Sequence, residues 1–311
     1  MTILLVGRGL LGRAVERRLR SQRRGFRGVS VTWADAALAV DELLAAASLA
    51  ADDSGPGGWQ LVWCAGAGVV NTSEDDLRLE VTLLERFLDR LDQPPRSMFL
   101  ASSAGGAYAG ASGPPFTERH EARPVSAYGR AKLATERACT ELAEGHGTRV
   151  AVGRLANLYG PDQDLAKTQG LVSRLCLGGV IGQPVHIYVS TDTLRDHVYA
   201  DDAGAVAVAM LDRIDGHARS SVVTKIVASG HAASVSELLS ASTKAFRRRV
   251  PFVQAVVESP GQVRDLRLRS TVWTDLDALV RTPLVVGLHA TAEGVAAQHR
   301  EARLDTTQRQ R

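Results

Sequence analysis

The stretch that most narrows what this chain can fold into is residues 3–20. An apolar run of strand length, Ile3-Leu4-Leu5-Val6, leads straight into Gly7-Arg8-Gly9-Leu10-Leu11-Gly12, and a helical pattern continues to about Arg20. A strand, a Gly-x-Gly-x-x-Gly turn and a helix in that order open a parallel α/β sheet that holds a dinucleotide. Glycines let the backbone approach a pyrophosphate, and the free N–H groups at a helix start stabilise its charge. Gly7, Arg8, Gly9, Leu10, Leu11 and Gly12 are therefore the first candidate cofactor contacts.

Beyond Arg20 the chain alternates as such a sheet requires. Val29 to Trp33 reads as a second strand and Ala36 to Ala50 as a helix; the short Gly/Pro-rich loop 52–58 leaves no room for a further strand-helix unit before the strand Leu61 to Cys64. Ser73 to Leu91 reads as a helix, Met98 to Ala101 as a strand, Ala127 to about Glu144 as a helix and Arg149 to Gly153 as a strand. The alternation then breaks up. Gln169 to Leu177 reads as a short helix, Val185 to Val189 as a strand, Leu194 to Asp202 as a loop feeding a helix to about Ile214, and Thr224 to Ala228 as a late parallel strand. Helices near Ser234 to Phe246 and Ala290 to Arg300 complete the pattern. The expected fold is α/β, a doubly wound parallel, Rossmann-like sheet with a small C-terminal substrate lobe. Residues 1–160, with late elements from 185–230, form the dinucleotide-binding domain; 161–184 and 231–305 form the lobe, and 306–311 a disordered tail.

The adenosine ribose belongs at the end of the second strand. The strand ends on Trp33 and the nearest carboxylate is Asp35, which either accepts from the ribose hydroxyls or caps the next helix. Cys64, Ala65 and Gly66 come after a central strand, where small residues admit a cofactor.

A second constellation carries the chemistry. In Ser126-Ala127-Tyr128-Gly129-Arg130-Ala131-Lys132 the tyrosine and lysine are an i, i+4 pair, so both side chains leave one helix face a turn apart. A free phenol titrates near 10, so it serves as a base near neutrality only where a neighbouring cation favours the phenolate. Composition sharpens the pattern: only Lys132, Lys167, Lys225 and Lys244 among the 37 basic residues are lysines. Arginine would serve a solvated face equally well, whereas tuning a phenol and gripping ribose hydroxyls suits a compact ammonium. Ser103, at the end of the Met98 strand, presents a hydroxyl at the same sheet edge, and Asn157 comes after the Arg149 strand as one of only two asparagines.

The balance of 37 basic and 34 acidic residues implies no broad attraction to nucleic acid or membrane. Cys64, Cys139 and Cys176 have neither metal-ligand spacing nor a disulfide framework, and no leader or membrane-spanning run is present, so a cytoplasmic location is expected.

With the glycine loop, Ser103, Tyr128/Lys132, Asn157 and Arg195 in this order, the sequence resembles the extended short-chain dehydrogenase/reductases, in particular the NAD-dependent nucleotide-sugar epimerase/dehydratase family, over about residues 3 to 290. The resemblance implies that Ser103 hydrogen-bonds the reacting sugar oxygen, Tyr128 moves the proton, and Lys132 binds the nicotinamide ribose and favours the phenolate. Arg154 to Pro161 matches an Arg-x-x-Asn-x-Tyr-Gly-Pro segment of the family, placing Asn157 at a substrate diphosphate. Arg195, in an Arg-Asp-x-Val-Tyr segment, would pair with the same phosphates, and Gln169 is a further substrate contact. The chain also departs from the family. Its first glycine interval is one residue shorter, Glu80 aligns where asparagine is usual, and Ser259 stands before Pro260-Gly261-Gln262-Val263 where arginine is frequent. Ala104-Gly105 after Ser103 replaces the Asp-Glu of dehydratases, which argues against dehydration. The implied activity is a sugar-nucleotide epimerase using NAD, with NADP left open; a homodimer is compatible with it. A reductase of a nucleotide-sugar or other carbonyl substrate and a non-catalytic dinucleotide-binding protein are the alternatives.

Overall fold

The first half of the chain alternates as anticipated: β1 (Ile3–Val6), α1 (Leu10–Ser21), β2 (Phe26–Gly28), α2 (Ala36–Asp52), β3 (Gln60–Trp63), α3 (Glu74–Asp89) and β4 (Ser97–Ser103). A short helix, α4 (Ala104–Tyr108), continues directly from β4, and α5 (Ala127–His146) leads to β5 (Arg149–Leu155). Next come β6 (Asn157–Tyr159), α6 (Leu171–Ile181), β7 (Val185–Ile187), β8 (Leu194–Tyr199), α7 (Ala200–Asp215) and β9 (Val222–Val227). The chain ends with β10 (Ala232–Ser234), α8 (Val235–Phe246), β11 (Phe252–Gln254), β12 (Asp265–Leu266) and α9 (Leu284–Arg309). The computed structural model describes residues 1–66, 68, 72–165, 170–255 and 263–309, with 302–309 as backbone alone. Gln169 and Ser259-Pro260-Gly261-Gln262 lie outside the described residues.

Six strands form one parallel sheet in the order β2-β1-β3-β4-β5-β9. The chain runs outward from β1 to β2 and then returns to β3, so the sheet is doubly wound with its switch point between β1 and β3. β1 and β3 are buried at every residue, which requires cover on both faces. Leu11, Val15 and Leu19 of α1 pack with α7 on one face, and α2, α3 and α5 pack on the other around Leu43, Leu84 and Leu142. A second layer pairs β8 with β6, β10 and β12. Beside it α6, α8 and α9 close a separate apolar cluster around Leu175, Leu238 and Leu288. Among the described residues no helix is long and apolar enough to cross a membrane.

Several expectations are corrected. The second strand is Phe26–Gly28, not 29–33, because the four-residue β1 pairs only as far as Leu5 with Gly28 and offers residues beyond Val29 no ladder. Val29 and Val31 still pack on the core, which is why their alternation resembles a strand. The 194–199 segment, read as loop, is β8; its inward residue Asp196 is polar but accepts the Ser229 N–H at 2.8 Å, so the usual apolar alternation is missing. The tail read as disordered from 306 is helical to Arg309, since a run rich in Ala, Arg and Gln extends α9 without a breaker. β6, β10, β11, β12 and α4 were not anticipated as separate elements.

The outer edge of β9 is covered by an ion-pair network. Lys225, fully buried, donates to Ser270 Oγ (2.7 Å), the Val272 carbonyl (2.8 Å) and Asp277 Oδ1 (2.6 Å). Glu118 accepts from the Ile226 N–H (2.8 Å), Ser270 Oγ (2.6 Å) and the Thr271 N–H (2.7 Å), which satisfies a donor on the strand's open edge. Burial pushes the Glu118 carboxyl up, but these hydrogen bonds outweigh it and hold the group below the usual carboxylate range. Because the folded value is depressed, its contribution is complete above the ordinary carboxylate range and is lost as pH falls through the lowered value. Lys225→Met strips the cation from this network and should cost about 3 kcal/mol at pH 7. Glu118→Gln should destabilise at pH 7 and flatten the loss of stability below about pH 5. Thermal unfolding of the three proteins across pH tests both; melting temperatures that coincide at every pH would contradict the assignment.

Candidate active site

The glycine loop closes only because three backbones touch. Gly7 has φ +90°, and a Cβ there would stand 2.3 Å from the Ala65 nitrogen. A Cβ on Gly12 would stand 1.8 Å from the Gly7 carbonyl oxygen. Gly7 and Gly12 thus form the turn's floor, while Arg8, Gly9, Leu10 and Leu11 line a cleft of about 1170 Å³. Gly9 begins α1 with no side-chain cap and no acidic residue in the first turn, and open space faces it. The free N–H groups of that turn suit a pyrophosphate, so the loop fits the dinucleotide it was read for.

Cys64, Ala65 and Gly66 line the same cleft after β3. Desolvation pushes the Cys64 thiol up to about 12, so it stays neutral and acts as a small wall residue. Asp35 is not part of the lining. Its carboxylate accepts from the Ala37 and Leu38 N–H groups at 3.0 and 3.1 Å, which is the capping role of the two open to it.

Ser103, Tyr128 and Lys132 all line this cleft. Ser103 ends β4 and caps α4 by accepting the Gly106 N–H at 3.1 Å; Ser126 caps α5 by accepting the Gly129 N–H at 3.1 Å. The two caps are brought together at a backbone contact, since a Cβ on Gly129 would lie 2.3 Å from the Gly106 carbonyl oxygen. Tyr128, next to that contact, therefore opens on the same side as Ser103. Lys132 Nζ sits 5.6 Å from the Tyr128 ring centroid and 2.8 Å from where a Cβ on Gly66 would stand. Beyond Gly66, Glu80 accepts the Gly68 N–H at 2.6 Å.

Beneath these groups lies a paired charge that sequence reading missed. Arg154 of β5 makes a bidentate pair with Glu136 of α5 at 3.0 and 2.7 Å and donates to the Tyr108 hydroxyl at 2.8 Å. Ser102, beside Ser103, donates to Glu136 at 2.5 Å. Burial lowers the Arg154 affinity for its proton, but Glu136 and Tyr108 more than reverse this, so the guanidinium stays charged. The pair joins β4, α4, α5 and β5 two turns below Tyr128. The signal was Glu136, eight residues after Tyr128 on one helix face.

The opposite wall comes from the second layer. Asn157 of β6 is exposed in the cleft and pairs in register with His197 of β8. Arg195 lines the cleft, with Nη1 on the Leu194 carbonyl (2.8 Å) and Nη2 on the Val263 carbonyl (2.6 Å). Burial lowers its proton affinity, partly offset by Asp265, and no carboxylate among the described residues pairs with it. His197 is a cleft residue that sequence reading did not single out. Burial pushes its imidazole down to about 4, so it is neutral at pH 7, and its Nδ1 has no partner among the described residues. Read as a strand, Arg195, His197 and Tyr199 share one face, and that period of two was the available signal.

A family model described as the NAD dependent epimerase/dehydratase family matches residues 62–224, more than half of the chain. The chain belongs to that family. A dTDP-L-rhamnose 4-epimerase from Burkholderia thailandensis is 33% identical over 101 residues, which cover 32% of this chain and 28% of that relative. The Thermotoga maritima UDP-glucose 4-epimerase solved with UDP-glucose superimposes with a TM-score of 0.78 at 21% identity, over 96% of this chain and all of the other. MoeE5, solved with UDP-glucose and NAD, gives 0.75 at 23% identity over the same shares of the two chains. The Thermus thermophilus UDP-glucose 4-epimerase complex with NAD gives 0.75 at 18%, over 95% and 99%. These likenesses share the family's fold.

The Arg154–Glu136 pair is about one-tenth exposed on both sides, and removing one partner leaves the other charge buried. Arg154→Met should destabilise by about 3–5 kcal/mol, and Arg154→Met with Glu136→Leu should recover most of the loss. Chemical unfolding of the single and double variants measures this coupling; additive losses would mean that the two side chains act independently.

Proposed function

We propose that this member of the family is a nucleotide-sugar epimerase in which Tyr128 is the acid/base, Lys132 its electrostatic partner and Ser103 the hydrogen-bonding partner of the reacting oxygen. The observation that carries the reading is one cleft with Ser103, Tyr128 and Lys132 beside the glycine loop and Asn157 with Arg195 on the other wall. The cofactor supplies one piece of chemistry, accepting a hydride from the sugar carbon and later returning it.

Tyr128 Oη takes the hydroxyl proton as the C–H bond breaks, so the carbinol becomes a ketone. Once the keto sugar has turned its other face to the cofactor side of the cleft, Tyr128 would give its proton back to the same oxygen as the carbonyl is reduced, which gives the epimer. Lys132 stands beside Tyr128, its ammonium 5.6 Å from the ring centroid, so a positive charge accompanies the group that carries the proton. Ser103 holds the oxygen at both stages, its own oxygen already fixed by the α4 cap. Arg195 suits the substrate's diphosphate, because among the described residues it forms no salt bridge, Asp265 acting on it only from a distance, and its position on β8 is held by two carbonyls. Asn157 adds a neutral donor beside it. Segments 161–184 and 231–305 would form the substrate lobe around the sugar. No acid pair comes after Ser103, where Ala104 and Gly105 stand, so elimination of water lacks its catalyst.

Tyr128→Phe deletes only the proton-transfer group. Epimerisation of a nucleotide sugar found to be turned over should fall about 10²- to 10⁴-fold while dinucleotide affinity stays within about twofold. Turnover equal to the parent's would reassign the acid/base. Arg195→Ala should weaken binding of a nucleoside diphosphate by roughly ten- to a hundredfold and leave dinucleotide binding unchanged, as calorimetric titration would report. An epimerase interconverts the two sugars without added cofactor once loaded; a requirement for one dinucleotide per product would favour the reductase reading instead.

A further inference from the structure

A dinucleotide whose pyrophosphate rests at the start of α1 has its adenosine ribose at the end of β2. In this chain that place is unlike one built for two free ribose hydroxyls. β2 ends on Gly28, in register with Leu5, and Val29 and Ser30 come next, so no carboxylate stands at the strand end. Asp35 is engaged by the first N–H groups of α2, and Glu42 accepts from the N–H and hydroxyl of Thr32.

Arg8 lies across the strand end. Its Cδ is 3.7 Å, and its Nε 4.0 Å, from where a Cβ on Gly28 would stand. The side chain is 58% exposed and lines the cleft. Its counter-ion is Glu16, at 3.0 and 3.1 Å, and Glu16 also takes Arg20 at 2.7 and 3.2 Å. Two guanidiniums thus share one carboxylate, whose proton affinity burial raises but the two arginines together hold below the usual range. Arg8 can turn toward a second anion without leaving Glu16 unpaired. Arg8 is the exposed end of this pair, and the buried Glu16 keeps Arg20 when Arg8 turns away, whereas a guanidinium fork on a phosphate is a strong contact.

We propose that Arg8 and the glycine end of β2 form a subsite for the 2′-phosphate of NADP, so that this chain binds NADP at least as tightly as NAD. A carboxylate at the strand end would accept from the 2′-hydroxyl and repel a phosphate there; a guanidinium reverses that preference. The inference rests on the dinucleotide reading of the glycine loop.

The test is calorimetric titration of the full chain, freed of bound nucleotide, with NADP and with NAD at low and moderate salt. The dissociation constant for NADP is expected to equal or fall below that for NAD, and to rise more steeply with salt. Arg8→Ala should weaken NADP about ten- to a hundredfold and NAD by a clearly smaller factor, with Arg8→Lys between the parent and Arg8→Ala. A far-UV circular dichroism spectrum and melting temperature matching the parent's show that the variant is folded. Weaker binding of NADP than of NAD by the parent overturns the proposal, as does an equal loss of both in Arg8→Ala. Either result leaves the reading of the loop intact, whereas failure of the folded parent to bind either dinucleotide overturns both.

Discussion

The site depends on the register of the four central parallel strands. Val6, Trp63, Leu100 and Val152 stand in one row across β1, β3, β4 and β5. β1 and β3 end at that row, and the chain turns there into the glycine loop and into Cys64-Ala65-Gly66. β4 and β5 continue through three further pairs to Ser103 and Leu155, a rise of about 10 Å at the spacing of a parallel strand. One edge of the sheet therefore has two levels. The low level admits an extended cofactor, and the high level lifts a serine hydroxyl toward whatever lies above it. Hydrogen bonds between strands fix this step in height, so loops need only fill it.

The side chains around the step divide by the geometry of their charge. Arg154 presents a planar fork to the two oxygens of Glu136 and a further N–H to Tyr108, and it sits where elements meet edge to edge. Lys225 sends one ammonium to three oxygens in different directions, which a planar group would not reach. Lys132 likewise lies between a phenol ring and a backbone turn. In a chain that uses arginine nearly everywhere, two of its four lysines stand where a compact ammonium is sterically required. Lys244 is solvent-exposed on α8, so rarity alone would have over-read it.

Much of the candidate site was legible because its parts are local. The strand, glycine turn and helix are contiguous, and so are the i, i+4 tyrosine and lysine. Asp35 was open to two roles, ribose acceptor or helix cap, and it fixes the start of α2; the Ser126 cap was not singled out. The illegible parts depended on partners distant in sequence. β8 carries a polar residue inward, so it lacks a strand's apolar alternation until Ser229 is seen to satisfy Asp196. The length of β2 is set by its neighbour β1, not by its own residues. His197 became visible as a cleft residue only once β6 was found beside it.

The sequence by itself determined the parallel α/β class, the turn that brings a backbone within reach of a pyrophosphate, and the placement of Tyr128 and Lys132 on one helix face, because each arises from steric or periodic rules spanning a few residues. The tertiary structure alone decided that Ser103 and Tyr128 open on one side, through the contact of Gly106 with Gly129. It also decided that a buried arginine–glutamate pair ties their supports together, and that Arg8, not a carboxylate, lies across the end of β2. Those outcomes are set by which backbones approach one another, and that is fixed only when strands far apart in the chain pair in register.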